Sequence, residues 1–217
     1  MWTDFPIVGT VLNFYYSNGV LTIKECITVS NVVCVAWNIR GGLIKRRKEI
    51  TNLLKKERID VVFLTECDIR HIGEKNPYNI EGYKTFYPLI ENDESKIRII
   101  GLVQEDLAQY MMIRHDLMSE AIATLWLQVT RSDGRRVLMC GVYREWDHEG
   151  RNSMSDQSER LDVLTMQLDK GTLDSKSVVV LGDINLCSNQ WNEPSYRLKS
   201  VYLYLYLYLL LQLGGLA

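Results

Sequence analysis

Four apolar runs in this 217-residue chain end in polar side chains that packing does not require. The first is Trp37-Asn38-Ile39-Arg40-Gly41-Gly42, where Asn38 closes the run and the glycines let the backbone pass close to a ligand. The second, Phe63-Leu64-Thr65-Glu66-Cys67, sets a carboxylate behind an apolar run. The third and fourth are Gly141-Val142-Tyr143-Arg144-Glu145-Trp146 and Val180-Leu181-Gly182-Asp183-Ile184-Asn185. Amides, carboxylates and a phenol are the groups from which hard-cation ligands, proton acceptors and hydrogen-bond donors are drawn.

Taken singly, each run also has a plain reading. Asn38 suits a turn, Glu66 a solvated strand end or a helix cap, Tyr143 a core aromatic with its hydroxyl at the surface, and Gly-Asp-x-Asn an Asx-type turn. No one of them decides the chemistry. Their order along the chain carries more than any member.

The elements that must position these residues follow from hydrophobic periodicity. Val32 to Trp37 reads as a buried strand, and Leu43, Ile50, Leu53 and Leu54 recur at helical spacing to about Lys56. A second buried strand spans Asp60 to Leu64, followed by a polar stretch around Pro77 that reads as a long surface loop. Five further strands are expected at Tyr83 to Pro88, Ile97 to Val103, Tyr110 to Arg114, Ile122 to Val129 and Arg136 to Tyr143, with a hairpin signal at Ser132-Asp133-Gly134 between the last two. Residues 147 to 157 read as loop, residues 158 to 169 as a helix through Leu161, Leu164 and Leu168, and Ser177 to Leu181 as a strand. Strands alternating with amphipathic helices indicate a layered α/β or α+β domain.

Composition sets outer bounds. With 47% hydrophobic and 24% charged residues, the chain is long enough for one domain with a sizeable core. A formal net charge of -2 excludes global attraction to nucleic acid, so any DNA contact needs local basic clusters or a metal between two anions. The run Lys45-Arg46-Arg47-Lys48 is most simply a solvated helix face. Cys26, Cys34, Cys67, Cys140 and Cys187 form no C-x-x-C pair and read as reduced thiols of an intracellular protein. Asp4, with no basic stretch before an apolar run, argues against a secretory leader.

The ends differ from the middle. Residues 1–31 are assigned to an N-terminal extension with a small hairpin signal at Ser17-Asn18-Gly19, and residues 32–200 to the main domain. Residues 201–217 form a low-complexity apolar tail whose Val201 to Leu211 stretch alternates Tyr and Leu, a β-aggregation hazard when exposed. That stretch of about 11 residues is shorter than the roughly 20 a membrane-spanning helix needs, so no membrane association is expected.

The order Asn38, Glu66, Tyr143, Gly182-Asp183-Ile184-Asn185 resembles the endonuclease/exonuclease/phosphatase superfamily over about residues 32 to 200. Trp37-Asn38-Ile39-Arg40-Gly41, Tyr143-Arg144-Glu145-Trp146 and Leu181-Gly182-Asp183-Ile184-Asn185-Leu186 look most like the endonuclease domains of non-long-terminal-repeat retrotransposon polyproteins. The resemblance implies a four-layer α/β sandwich of the deoxyribonuclease-like kind, here lacking its last strands. It also implies Mg²⁺ (or Mn²⁺) as cofactor and DNA as substrate, with a nuclear location if functional; no protein partner is predictable. Within it, Glu66 matches the metal carboxylate with Asn38 beside it, and Asp183 the group that orients or deprotonates the attacking water. Asn185 would help place that water, and Tyr143 would donate a hydrogen bond to the phosphate.

The family's later Ser/Ala-x-Asp-His-type motif finds no match after Asn185, and His71, His115 and His148 all precede Gly-Asp-x-Asn. The expectation is therefore a DNA-nicking phosphodiesterase of impaired activity, with a catalytically inactive remnant of the same fold as the alternative. A phosphatase of the same superfamily is a further alternative.

Overall fold

The longer apolar runs put buried side chains on both faces of a strand, and a chain built of such strands must stack sheets and cover them with helices. The computed structural model describes residues 25–29, 32–40, 43–69, 78–88, 96–130, 134–145, 153–175 and 177–184. The elements run β1 (Glu25–Val29), β2 (Val32–Asn38), α1 (Arg47–Glu57), β3 (Val61–Ile69), β4 (Tyr83–Phe86), β5 (Ile97–Gln104), α2 (Glu105–Ala108), β6 (Met111–Ile113), β7 (Ala123–Thr130), β8 (Arg136–Tyr143), α3 (Met154–Asp174) and β9 (Ser177–Asp183). A 3-10 turn at His115–Leu117 lies between β6 and β7.

Two mixed sheets result. One has the order β1-β2-β3-β5-β4 and the other β6-β7-β8-β9. Each contains one parallel pair joined by a helix, β2-α1-β3 in the first sheet and β8-α3-β9 in the second.

Alternation assigns side chains to layers. From β2, Cys34 and Ala36 point between the sheets while Val35 and Trp37 meet Ile50 and Leu54 of α1. From β8, Val137 and Met139 point between the sheets while Leu138, Cys140 and Val142 meet Leu161, Leu164 and Leu168 of α3. The four layers are therefore α1, the first sheet, the second sheet and α3. Phe63 lies in the middle layer, and Gly141 makes room for it: a Cβ at that position would stand 2.3 Å from Phe63 Cδ1. On the far side Trp126 is fully buried, and its indole nitrogen donates to Gln167 Oε1 of α3 at 3.0 Å, satisfying the one polar atom it carries into the core.

The eight strands expected from periodicity are β2 to β9. Helix boundaries differ more. The polar residues just before 158 belong to α3, because Ser153 caps it: its hydroxyl accepts from the Asp156 amide at 3.2 Å while Asp156 Oδ2 accepts from the Ser153 amide at 2.8 Å. Helix α1 starts at Arg47, four residues after Leu43, which is a buried member of the cluster under the helix. Strand β3 continues past Leu64 to Ile69, and β1, from within residues 1–31, pairs antiparallel with β2. The β7–β8 hairpin pairs Thr130 with Arg136, and Gly134 takes φ 80. The hairpin signal at Ser17-Asn18-Gly19 and residues 201–217 lie outside the described residues. No helix among the described residues is long and apolar enough to cross a membrane.

Candidate active site

The two parallel pairs end side by side. Asn38 at the end of β2 is in register with Thr65 of β3, and Tyr143 at the end of β8 is in register with Asp183 of β9. Carboxyl ends of parallel strands are where open α/β sheets collect functional side chains. Alternation explains why three of the four point at one another: Asn38 follows Cys34 and Ala36, Tyr143 follows Val137 and Met139, and Asp183 follows Val179 and Leu181, all on the faces between the sheets.

Glu66 does not have that parity. It follows Val62 and Leu64, which face α1. The β3–β5 register shifts between Thr65 and Ile69, a bulge with extra residues on β3, and within it Glu66 takes φ 56. The left-handed backbone turns the carboxylate away from the helix side and toward the other three, which is how a bulge re-aims a side chain. Left-handed geometry is costly for a residue with a Cβ, so the local structure holds strain at the point where the carboxylate is presented.

The geometry is tight. The Asn38 amide nitrogen donates to Glu66 Oε1 at 2.7 Å and to Asp183 Oδ2 at 2.8 Å, while its oxygen accepts from the Arg40 amide at 3.0 Å. The Arg40 contact settles the orientation of the amide, leaving the nitrogen to the carboxylates. The Tyr143 hydroxyl donates to Glu66 Oε1 at 3.2 Å. Gly182 lets β9 approach β8 at this end: its φ is 145, and a Cβ there would stand 1.9 Å from the Val142 carbonyl oxygen. Beyond Asp183 the backbone is pinned by fully buried Arg144, whose amide donates to the Asp183 carbonyl at 2.9 Å and whose Nε donates to the Ile184 carbonyl at 2.6 Å.

Burial pushes the Tyr143 phenol up to about 12, the Glu66 carboxylate adds to the shift, and Arg98 opposes it. The phenol therefore keeps its hydrogen, and can donate a hydrogen bond, throughout the neutral range. Arg98 Nη2 donates to the Tyr143 oxygen at 3.2 Å and pairs with Glu145 Oε1 at 2.9 Å, with its guanidinium carbon 5.2 Å from the centroid of the Tyr143 ring. A cavity of about 410 Å³ opens beside Tyr143, with Arg98, Lys96, His115, Glu145 and Arg160 among its walls.

Asn38, Glu66, Tyr143 and Asp183 thus form one hydrogen-bonded group, while Asn185 lies outside the described residues. His115 lines the cavity; His71 and His148 are outside the described residues. Sequence reasoning missed Arg98, although a lone cation inside the apolar run Ile97 to Val103 was a usable signal. Among the described residues no three His, Cys, Asp or Glu side chains cluster as an all-protein metal cage. The donors present, two carboxylates bridged by an amide, are oxygen-rich and few, which fits a cation that takes one or two carboxylates and fills its other positions with water and phosphate.

Comparisons with solved structures show the same fold at low identity. A humanized D. rerio TDP2 is 19% identical, with 74% of this chain and 65% of that chain covered and a TM-score of 0.53. The endonuclease domain of TRAS1, a telomere-specific non-LTR retrotransposon, is 14% identical, with coverage of 79% and 68% and a TM-score of 0.52. The AP endonuclease LMAP from Leishmania major is 13% identical, with coverage of 80% and 66% and a TM-score of 0.57. The chain thus spans less than two thirds of the first of these and about two thirds of the others. No curated protein matches the sequence. The Endonuclease/Exonuclease/phosphatase family profile matches residues 35–195, from within β2 through β9 and across the side-chain group described above. The chain belongs to the Endonuclease/Exonuclease/phosphatase family.

Proposed function

We propose that this chain is a divalent-metal-dependent phosphodiesterase that nicks DNA, derived from a retroelement endonuclease. The observation that carries the reading is the bridge at Asn38, which holds Glu66 and Asp183, from different sheets, within 2.7 and 2.8 Å of one amide nitrogen. Two fixed carboxylates and a phenol that stays protonated are what hydrolysis of a phosphate diester asks of a protein.

Glu66, with Asn38 beside it, is the residue that would hold Mg²⁺ or Mn²⁺. When bound, such an ion neutralises charge on the phosphate oxygens and lowers the pKa of water. Asp183, 8% exposed, orients the attacking water and accepts its proton. Asn185 would help place that water, two residues on from Asp183. Asn38 keeps the two carboxylates at a fixed separation. Tyr143 donates its hydrogen bond to a phosphate oxygen as negative charge builds there.

The alternative is a fold that no longer turns over. Nicking of supercoiled plasmid by the purified chain separates the two. Mg²⁺-dependent nicking, suppressed by chelator and lost in Asp183→Ala, establishes the nuclease. Equal conversion by wild type and Asp183→Ala would sink it.

A further inference from the structure

Tyr143 can hydrogen-bond to a phosphate oxygen only if its hydroxyl points the right way, and Arg98 bears on that direction. We propose that Arg98 is a positioning residue that fixes the direction in which the Tyr143 hydroxyl donates its hydrogen bond. The proposal deepens the nuclease reading and rests on it for its catalytic arm alone.

A phenol has one hydrogen to give, whereas a guanidinium gives hydrogens and accepts none. Arg98 Nη2 stands 3.2 Å from the Tyr143 oxygen, so the contact occupies an oxygen lone pair with an Arg98 hydrogen. The hydroxyl hydrogen must then turn away from Arg98, and Glu66 Oε1 at 3.2 Å is the acceptor on that side. Between these two partners the hydrogen is directed at Glu66, the residue that would hold the metal.

Arg98 is itself held. The second hydrogen of the same Nη2 serves Glu145 Oε1 at 2.9 Å, and the guanidinium packs over the Tyr143 ring, its central carbon 5.2 Å from the centroid. Glu145 is anchored in turn, its carbonyl accepting from Gln157 Nε2 at 3.0 Å and from Arg160 Nη1 at 2.9 Å, both on the first turns of α3. A planar fork that bonds, pairs and stacks at once is a role lysine fills only in part. The arrangement ties the phenol to β5 and to α3, so its orientation is set before any substrate arrives.

The test uses the full chain carrying tyrosine labelled with ¹³C at Cζ, in which the Tyr143 signal is the one missing from Tyr143→Phe. Arg98→Met is expected to move that signal, because the ring carbon reports hydrogen bonds to its oxygen, and Arg98→Lys to move it less. In plasmid nicking with Mg²⁺, Arg98→Met is expected to lower kcat about ten- to a hundredfold, with part recovered in Arg98→Lys. KM is expected to stay within about twofold, as for an interaction made in the transition state. A folded Arg98→Met with an unmoved Tyr143 signal overturns the proposal, as does a raised KM with kcat intact, which would make Arg98 a substrate-binding residue. Should Arg98→Met not fold, Arg98→Gln is read by the same criteria. If wild type does not nick at all, the nuclease reading falls while the ring signal still decides the role of Arg98.

Discussion

The amide nitrogen of Asn38 stands 2.7 Å from Glu66 Oε1, joining the end of β2 to a residue inside β3 whose side chain would face the other side of the sheet if β3 were regular. The same nitrogen reaches Asp183 at 2.8 Å, so one donor separates two carboxylates. Asn38→Ala is expected to lower single-turnover nicking by about 10²- to 10³-fold, the usual effect of removing one preorganised donor. Asn38→Asp is expected to be at least as damaging, because a third carboxylate replaces the donor that kept the other two apart. Rates for both within a few-fold of wild type would remove Asn38 from the machinery.

The left-handed backbone at Glu66 separates its local cost from its chemistry. Glu66→Ala and Glu66→Gly lose the same carboxylate, but only glycine adopts φ 56 freely. Urea unfolding is expected to find the glycine variant more stable than the alanine variant by about 1 kcal/mol, the reverse of the order inside a regular strand. Both variants should be inactive. Equal stabilities, or alanine ahead, would mean that the bulge relaxes once the carboxylate is gone.

Between the sheets the limiting contact is steric. Gly141→Ala would drive a Cβ to 2.3 Å from Phe63 Cδ1 and 2.8 Å from Ile99 Cδ1. Overpacking of this kind costs about 1–3 kcal/mol. Phe63→Leu in the same chain is expected to recover part of that loss, giving a coupling energy in a double-mutant cycle. Additive losses would place the strain elsewhere.

A charged cluster under the 3-10 turn sets a pH dependence of stability. Arg114 bonds to Asp116 at 2.7 Å and pairs with Asp174, while Lys170 approaches Asp116 at 3.4 Å. The hydrogen bond from Arg114 holds the Asp116 carboxyl well below the ordinary range, against a smaller opposing effect of burial. A depressed folded value means the contribution is complete above the unfolded carboxylate pKa, about 3.9, and is lost as pH falls below it toward the folded value. Asp116→Asn should melt below wild type at pH 7, with the gap closing as pH drops under about 4. Because Asp116 is 46% exposed at its side chain, the gap should also shrink in high salt. A gap as wide at pH 2 as at pH 7 would point to lost packing.

Much of this fold was legible because alternation is a local property. Val61, Val62, Phe63 and Leu64 announce a strand buried on both faces, and the positions of Asn38, Tyr143 and Asp183 at strand ends follow from the runs that precede them. Glu66 was legible as a type of residue but its direction was not, since parity assigns it to the helix side and only the bulge, a feature of two paired strands, brings it across. The same limit hid Arg98, whose meaning depends on Tyr143 45 residues away. It hid the start of α3 less completely, because Ser153 and Asp156 have the spacing of a capping box inside a stretch that reads as loop.

At Tyr143 protonation and role are linked. Burial, more than the Glu66 charge, pushes its phenol up to about 12, so the hydrogen it would donate to a phosphate oxygen is present through the neutral range. Tyr143→Phe removes that donor and leaves the ring. Nicking should fall by about 10²-fold or more if the hydroxyl stabilises charge that builds during cleavage. The shape of the pH–rate profile should be the same in wild type and variant up to about pH 10, because an acid with so high a pKa contributes no limb below it. An alkaline limb near neutrality that disappears in Tyr143→Phe would show that the phenol ionises during turnover, and would recast it from donor to base.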